Sequence, residues 1–272
     1  MKRCLLGFVG GKEIVYIVSI IKNEIPILEH DDTPVSVIMP THENLDIKIP
    51  ERVVFAFLGR VVERYTESHG AKIAGTFLSI TKKFPIYVLN YKGQEIGLCQ
   101  APVGAAAATQ ILDWMIGYGA KKIIATGSCG VLTDTAENSF LLPVRALRDE
   151  GTSYHYLPPS RYIDLNQYVL HNIQRGLKER GIPYNECVTW STDGFYRETK
   201  DMVTYRKQEG CTVVDMECAA LAACAQFRGV EFGQLLFTAD SLANLDAHDK
   251  REWGRGAMEK ALQLSMDLVL EL

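Results

Sequence analysis

The sequence predicts an α/β fold in one domain, and three observations predict it. Residues 211–246 read strand, helix, strand, with an acid at each junction. Residues 86–126 read hairpin, helix, strand. The composition, 47% hydrophobic and 23% charged over 272 residues, is that of an ordinary globular chain. In the first unit Thr212, Val213 and Val214 form a β-branched run. Asp215-Met216-Glu217 follows, and the chain then turns small and helical from Cys218 to Cys224. Gly229 is expected to end that helix, because glycine takes the left-handed conformation of a C-terminal cap without penalty. Residues 234–238 are a second apolar strand that stops at Ala239-Asp240-Ser241. Glu217 and Asp240 are therefore expected at the carboxyl ends of neighbouring strands, the edge at which open α/β sheets bind ligands. An acid after a strand also serves as a helix cap or turn residue, which is the reading taken for Asp215. A carboxylate in a helix's first turn likewise suits the helix dipole without any function.

Length and charge bound the rest. No linker, repeat or low-complexity tract divides the chain, so one domain over residues 1–272 is expected, with 1–34 as an N-terminal extension packed on it. A net charge of −4 and a pI near 5.9 lack the basic face of a nucleic-acid binder but leave room for a small anionic ligand. The seven cysteines are odd in number, show no CxxC spacing and lie mostly in apolar contexts, so they read as buried thiols. Met1-Lys2-Arg3 and the apolar residues 4–9 imitate a signal peptide, but Lys12-Glu13 breaks the run. No stretch reaches the ~20 apolar residues that span a bilayer. The expectation is a cytoplasmic protein with neither a membrane nor a nucleic-acid partner.

In chain order, residues 13–21 read as a strand or helix outside the main sheet, and 35–39 as a buried strand ending at Pro40. Residues 52–67 read as an amphipathic helix, with Val53, Phe57, Val61 and Tyr65 spaced by four. Residues 86–90 and 95–100 form a hairpin around Lys92-Gly93. A helix over 105–118, capped by Gly119, leads to a strand over 121–126. That strand runs into Gly127-Ser128-Cys129-Gly130, read as a turn whose amides can hold an anion or a sugar oxygen. Residues 141–148 are the next strand, and 150–160 a loop carrying His155. Residues 165–181 are a helix with Leu165, Val169, Ile173 and Leu177 on its core stripe. Residues 187–190 are a strand leading to Asp193-Gly194-Phe195-Tyr196-Arg197. A charged loop, 246–256, precedes a final helix over 257–272.

Three of these segments, KKIIATGSCGVL, DGFY and DMECAAL with its trailing Asp240, stand in the order found in the nucleoside phosphorylase and nucleosidase superfamily. The chain resembles that superfamily over residues 35–270. The resemblance implies a phosphorylase/hydrolase-like fold, with a mixed, partly barrel-closed central sheet flanked by helices. It also implies roles. Glu217 accepts hydrogen bonds from the ribose hydroxyls, and Met216 packs under the sugar. Phe195 stacks on the base. Asp240, where the family's Ser-Asp has become Ala239-Asp240, protonates N7 of a purine, supported by Arg251 or Arg255. Ser128 and the Gly127 amide hold phosphate, and Lys82 matches an arginine that reaches a neighbouring subunit's phosphate.

Departures from the family pattern fall on the phosphate site. The Gly-Asp-Pro loop after the first core strand, with its arginine, aligns with Thr41-His42-Glu43-Asn44-Leu45, and a second arginine with Ala125. The pair that reads uracil in uridine phosphorylases is Thr199 and Asp201 here. The resemblance thus implies a phosphorylase acting on a purine-like nucleoside, in purine salvage. Phosphate is its co-substrate, no metal or other cofactor is needed, and the assembly is a homo-oligomer (a dimer or a trimer of dimers). Two alternatives stand beside it: a nucleosidase that uses water, and a non-catalytic nucleoside-binding protein.

Overall fold

The structure is a computed structural model that describes residues 20–272 in full and, within residues 1–19, the backbone of two strands, β1 (Arg3–Val9) and β2 (Lys12–Val18). These two pair antiparallel as a small sheet of their own, so the apolar stretch at 13–21 does supply a strand outside the main sheet.

The main sheet has ten strands. Its first half is β3 (Arg52–Phe57), β4 (Lys72–Leu78), β5 (Lys83–Tyr91), β6 (Gln94–Gln100) and β7 (Lys122–Val131). Its second half is β8 (Phe140–Asp149), β9 (Tyr162–Asp164), β10 (Tyr184–Thr192), β11 (Val213–Asp215) and β12 (Glu231–Ser241). The strand order is β11-β10-β8-β12-β7-β3-β6-β5-β4, with β9 on the edge of β8. β11 also pairs antiparallel with β7, so β11, β10, β8, β12 and β7 close into a ring. Six helices flank the sheet: α1 (Arg60–Ser68), α2 (Ala105–Gly117), α3 (Gln167–Glu179), α4 (Lys200–Gln208), α5 (Cys218–Arg228) and α6 (Met258–Val269). The mixed, partly closed sheet expected from the sequence is the one observed.

Two segments differ from their sequence reading. Residues 52–57 are not the start of a helix but the central strand β3, flanked by β6 and β7. Val53, Val54, Phe55 and Ala56 are all fully buried. A strand covered on both faces shows a continuous apolar run instead of alternation, and the spacing of Val53 and Phe57 mimics a helical one. Residues 35–39, read as the first core strand, form no strand, and Val35, Val37 and Ile38 face solvent. Both edges of β3 are already taken by β6 and β7, and the chain is held in an irregular path between Pro34 and Pro40.

The Ala-rich helix forms as read. α5 buries every residue from Cys218 to Ala225 and ends at Gly229, at φ 70 in the left-handed region. The six described cysteines, Cys99 to Cys224, are free and buried; Cys4 lies outside the residues whose side chains are described.

Candidate active site

Glu217 and Asp240 do not stand on adjacent strands. β11 and β12 pair with opposite sides of β7, and their registers bring the two acids together. β11 runs against β7, with Val213 opposite Val131 and Val214 opposite Gly130, so Asp215-Met216-Glu217 head back along Cys129 and Ser128. β12 runs with β7, matched to Thr238 opposite Cys129; the register then breaks before Ser241 meets Val131. That bulge turns Ala239 and Asp240 out of the ladder, a common device beside ligand sites. Gly127-Ser128-Cys129-Gly130 is strand, not turn, because β7 continues through it to serve three partners. Gly130 makes the close approach possible: a Cβ there would lie 3.0 Å from Val214 and 3.4 Å from Asp240 Oδ1. Over this floor lies a chamber of about 210 Å³ lined by Gly127, Ser128, Met216, Glu217, Phe195 and Asp240. It shares Phe195, Glu198, Asp240 and Trp253 with an outer cleft of about 520 Å³.

The inner end of the chamber is built around two carboxylates. Asp215 is the cap that the sequence reading made it. Its Oδ2 accepts from the Glu217 and Cys218 amides at 3.0 and 2.6 Å, and its Oδ1 from Thr189 and Ser191 hydroxyls at 2.8 and 2.7 Å. Burial pushes its carboxyl up against these four donors. Glu217 begins α5, and one oxygen, Oε1, accepts the Gly104 amide at 2.6 Å. Burial, then the nearby Asp215 charge, pushes its carboxyl up to about 8. Gly104 sits at φ 103, so its N–H is aimed by a backbone that only glycine adopts readily.

The outer end is built around Asp240. Its Oδ2 lies 2.8 Å from His248 Nε2. Arg251 does not reach the carboxylate: its guanidinium donates to the carbonyls of Thr135 at 2.8 Å and Ala239 at 3.3 Å. Arg251 thus ties the loop to the strand that carries Asp240. Arg255 is exposed in the next turn and makes no side-chain hydrogen bond to Asp240. Glu198, also between chamber and cleft, is pushed up to about 7, mainly by burial and then by Asp240, with His248 opposing. His248 and Glu198 are absent from the sequence reading. The signal for His248 was its being the one imidazole in residues 242–256.

The other expected residues divide. Phe195 edges the chamber, half-exposed and packed T-shaped on Tyr196. Lys82 is on the exposed β4–β5 loop at the far edge of the sheet and lines neither cavity. His155 lines a separate cavity of about 750 Å³, bounded by the 31–42 segment, α2 and Arg228; larger than the chamber, it lacks its acids at strand ends. The first core strand being β3, the loop that follows it is Leu58-Gly59-Arg60, not Thr41-His42-Glu43-Asn44-Leu45. This loop has both a glycine and an arginine. Phe57 is opposite Gly127 in the β3–β7 ladder, so the loop leaves the sheet beside Ser128. α1 starts at Arg60 with no side-chain cap, and Arg60 has no ion-pair partner among the described residues. Ala125 is fully buried opposite Gln234, whose Oε1 is buried without a partner on the chamber wall.

The sequence profile of the phosphorylase superfamily matches residues 51–271, beginning at β3 and not at residue 35. A guanosine phosphorylase of Halorubrum lacusprofundi is 21% identical over 199 residues, 70% of this chain and 82% of that protein. Against two further relatives the chain spans 54% and 66% of their length. Among solved structures, uridine phosphorylase from Vibrio fischeri superposes with a TM-score of 0.70 at 21% identity, covering 82% of this chain and 93% of that one. AMP nucleosidase from Bacteroides thetaiotaomicron superposes with a TM-score of 0.67 at 22% identity, covering 82% and 88%. At these identities the two structures establish a shared fold.

Proposed function

The chain belongs to the phosphorylase superfamily, whose members cleave the N-glycosidic bonds of nucleosides, and from that premise we propose that it is a phosphorylase of a purine nucleoside. The products are the free base and a pentose 1-phosphate. In the proposed reaction the sugar lies over Met216 with its diol on Glu217. Gly104 occupies only Oε1, which leaves Oε2 for the hydroxyls. As the bond breaks, positive charge grows on the sugar and negative charge moves into the base. The cation favours the ionised form of Glu217, so that carboxylate interacts more strongly with the transition state than with the bound nucleoside. Phe195 stacks on the base, and Asp240 gives its proton to N7.

The observation that carries phosphorolysis is Arg60, an exposed cation that does not itself line the chamber but has no ion-pair partner among the described residues and opens an uncapped helix just after Phe57 meets Gly127. Exposed helix amides and an arginine are the donors a phosphate dianion needs once it leaves water. Hydrolysis has one specific observation in its favour. Ala125 offers no cation, and across from it the unpartnered Gln234 Oε1 is an acceptor suited to a water. The two readings separate when base release is followed as phosphate is raised from zero to tens of millimolar. Phosphorolysis requires saturation by phosphate and ribose 1-phosphate as product. Arg60→Ala should then raise the phosphate KM by about tenfold or more, the scale of one charge-assisted bond of ~1.5–3 kcal/mol. A phosphate-independent rate giving free sugar would make the protein a nucleosidase.

A homo-oligomer is part of this proposal, because Lys82 lies too far along the sheet to serve the chamber of its own chain. Light scattering that gives only a 30.4 kDa particle at micromolar concentration would refute it. A cytoplasmic setting and a place in purine salvage fit the proposed substrate. No described helix is long and apolar enough to cross a membrane.

A further inference from the structure

We propose that His248 is the positioning residue that holds Asp240 for proton donation and returns a proton to it from solvent after each turnover. The inference rests on the reading of Asp240 as the acid. The geometry is asymmetric in a way that suits such a relay. The Asp240 side chain is 10% exposed and the His248 side chain 49%, so one end of the pair faces the chamber and the other faces water. Asp240 divides its oxygens accordingly: Oδ2 meets His248 Nε2 at 2.8 Å, while Oδ1 lies toward Gly130 on the chamber floor.

The loop that carries His248 is fixed on three sides. Ser241 and Asp249 exchange backbone hydrogen bonds at 2.8 and 3.1 Å, which folds the loop back onto the strand of Asp240. Glu137 Oε1 accepts the Glu252 and Gly254 amides at 2.9 and 2.8 Å. Arg251 adds its bonds to the carbonyls of Thr135 and Ala239. The imidazole lies beside the Trp253 ring, with centroids 5.9 Å apart. Its charged surroundings are Asp240 and Glu198, with Lys200, paired to Asp246 at 2.7 Å, and Asp249 farther along the cleft and loop.

The proton balance is simple. In the charged pair the acid proton is on Asp240 and the imidazole Nε2–H donates to its second oxygen. The C1′–N9 bond breaks with its electron pair going to the base while an oxygen of hydrogen phosphate bonds C1′, and the Asp240 proton goes to N7, so the base leaves neutral. The carboxylate left behind is met by the Nε2–H. That proton then passes to Asp240, and the imidazole takes another from solvent on its exposed side. One proton enters from water for each proton that leaves with the base, and the hydrogen phosphate returns one to water as the pentose 1-phosphate dianion forms, so no net proton is consumed. Histidine suits this step because it exchanges protons near neutral pH, which an arginine in the same place would not do.

The test compares a purine ribonucleoside with its N7-methyl derivative, whose base is already cationic and needs no proton. His248→Gln should lower turnover of the unmethylated nucleoside by about 10–10²-fold near pH 7 and remove the imidazole limb of its pH profile. The loss should be confined to that substrate, and free imidazole should restore rate to His248→Ala. Equal losses on both substrates would reduce His248 to a structural prop and overturn the inference, as would an unchanged pH profile. Asp240→Asn separates the two layers. If it slows the unmethylated nucleoside and His248→Gln does not, the relay fails and the acid stands. If Asp240→Asn changes nothing, or the wild-type protein cleaves neither nucleoside, the reading of the acid fails and the relay with it.

Discussion

The two ends of the chamber are held in opposite ways. At the sugar end Asp215, Glu217 and the first turn of α5 are buried, and Asp215 alone gathers four hydrogen bonds. Every group there is fixed by strands and a helix of the core. At the base end the walls are half-exposed aromatics, Phe195 at 43% and Trp253 at 39%, on irregular segments. There Arg251, Trp253 and Gly254 take positive φ of 47, 57 and 68. Two non-glycine residues in that region cost on the order of 1–3 kcal/mol each, which the Glu137 and Arg251 contacts offset. The difference teaches that, on the proposed reading, the sugar meets a rigid part of the fold and the base a latched loop. Base preference can therefore change within such a fold while sugar recognition stays.

Substitutions that separate the two ends put this contrast at risk. The largest effect is expected from Asp240→Asn, which should retain binding and lower purine nucleoside turnover by about 10²-fold or more. Steady-state rates beside ligand affinity measure it, and unchanged turnover would remove Asp240 from the chemistry. Glu217→Gln keeps the shape of the sugar end but loses the ionised form that the transition state favours, roughly 1.5–3 kcal/mol per bond or ~10–10²-fold in kcat/KM for ribonucleosides. Its effect should not depend on the base; if it does, the two ends are not separable. Phe195→Ala should cost about 0.5–1.5 kcal/mol of stacking, a few-fold in KM, and vary with the base.

The smallest effect concerns stability. In the fold the Glu217 carboxyl lies near 8, raised from an ordinary 4.5 by burial. The folded chain therefore keeps a proton that the unfolded chain releases within that window. The contribution of Glu217 to stability is complete below pH 4.5 and declines as the pH rises toward 8. Glu217→Gln, fixed as the neutral form, should melt above wild type at pH 8, by ~2–4 °C for each kcal/mol regained, and level with it near pH 4.5. A wild-type advantage at pH 8 would mean that the ionised carboxylate has a partner in the fold.

What could be read from the sequence follows the same contrast. The sugar end lies in contiguous sequence: a β-branched run, an acid that caps, and an Ala-rich helix stopped by Gly229, each with local physics of its own. The base end does not. His248 lies in a polar stretch without periodicity and reaches Asp240 only through the Ser241–Asp249 bridge. Glu198 becomes notable only once burial is known. The misplaced first strand had a further cost. Because β3 is buried on both faces it imitated a helix, and the exposed run at 35–39 took its place. The loop at Gly59-Arg60 then goes unread in the sequence, and with it the glycine and arginine that the proposed phosphate site draws on. Nothing local marks Val35, Val37 and Ile38 as exposed, since that depends on β3 having no free edge.

The strand order carries a consequence for how the molecule comes to be. β12, the last described strand along the chain, lies in the interior of the sheet, between β7 and β8. Until it arrives, β7 and β8 present unpaired edges, and the ring cannot close. Its pairing with β7 spans four strands, β8 to β11, and three helices, α3 to α5, so the contact order is high and folding is expected to be slow. A chain that has emerged from the ribosome past residue 217 but not yet to residue 231 has the Gly127–Gly130 floor and Glu217 but no Asp240, and two sticky edges in search of a partner. The element that completes the chemistry is also the one that seals the sheet, so a molecule with a finished acid site has already passed its most aggregation-prone stage.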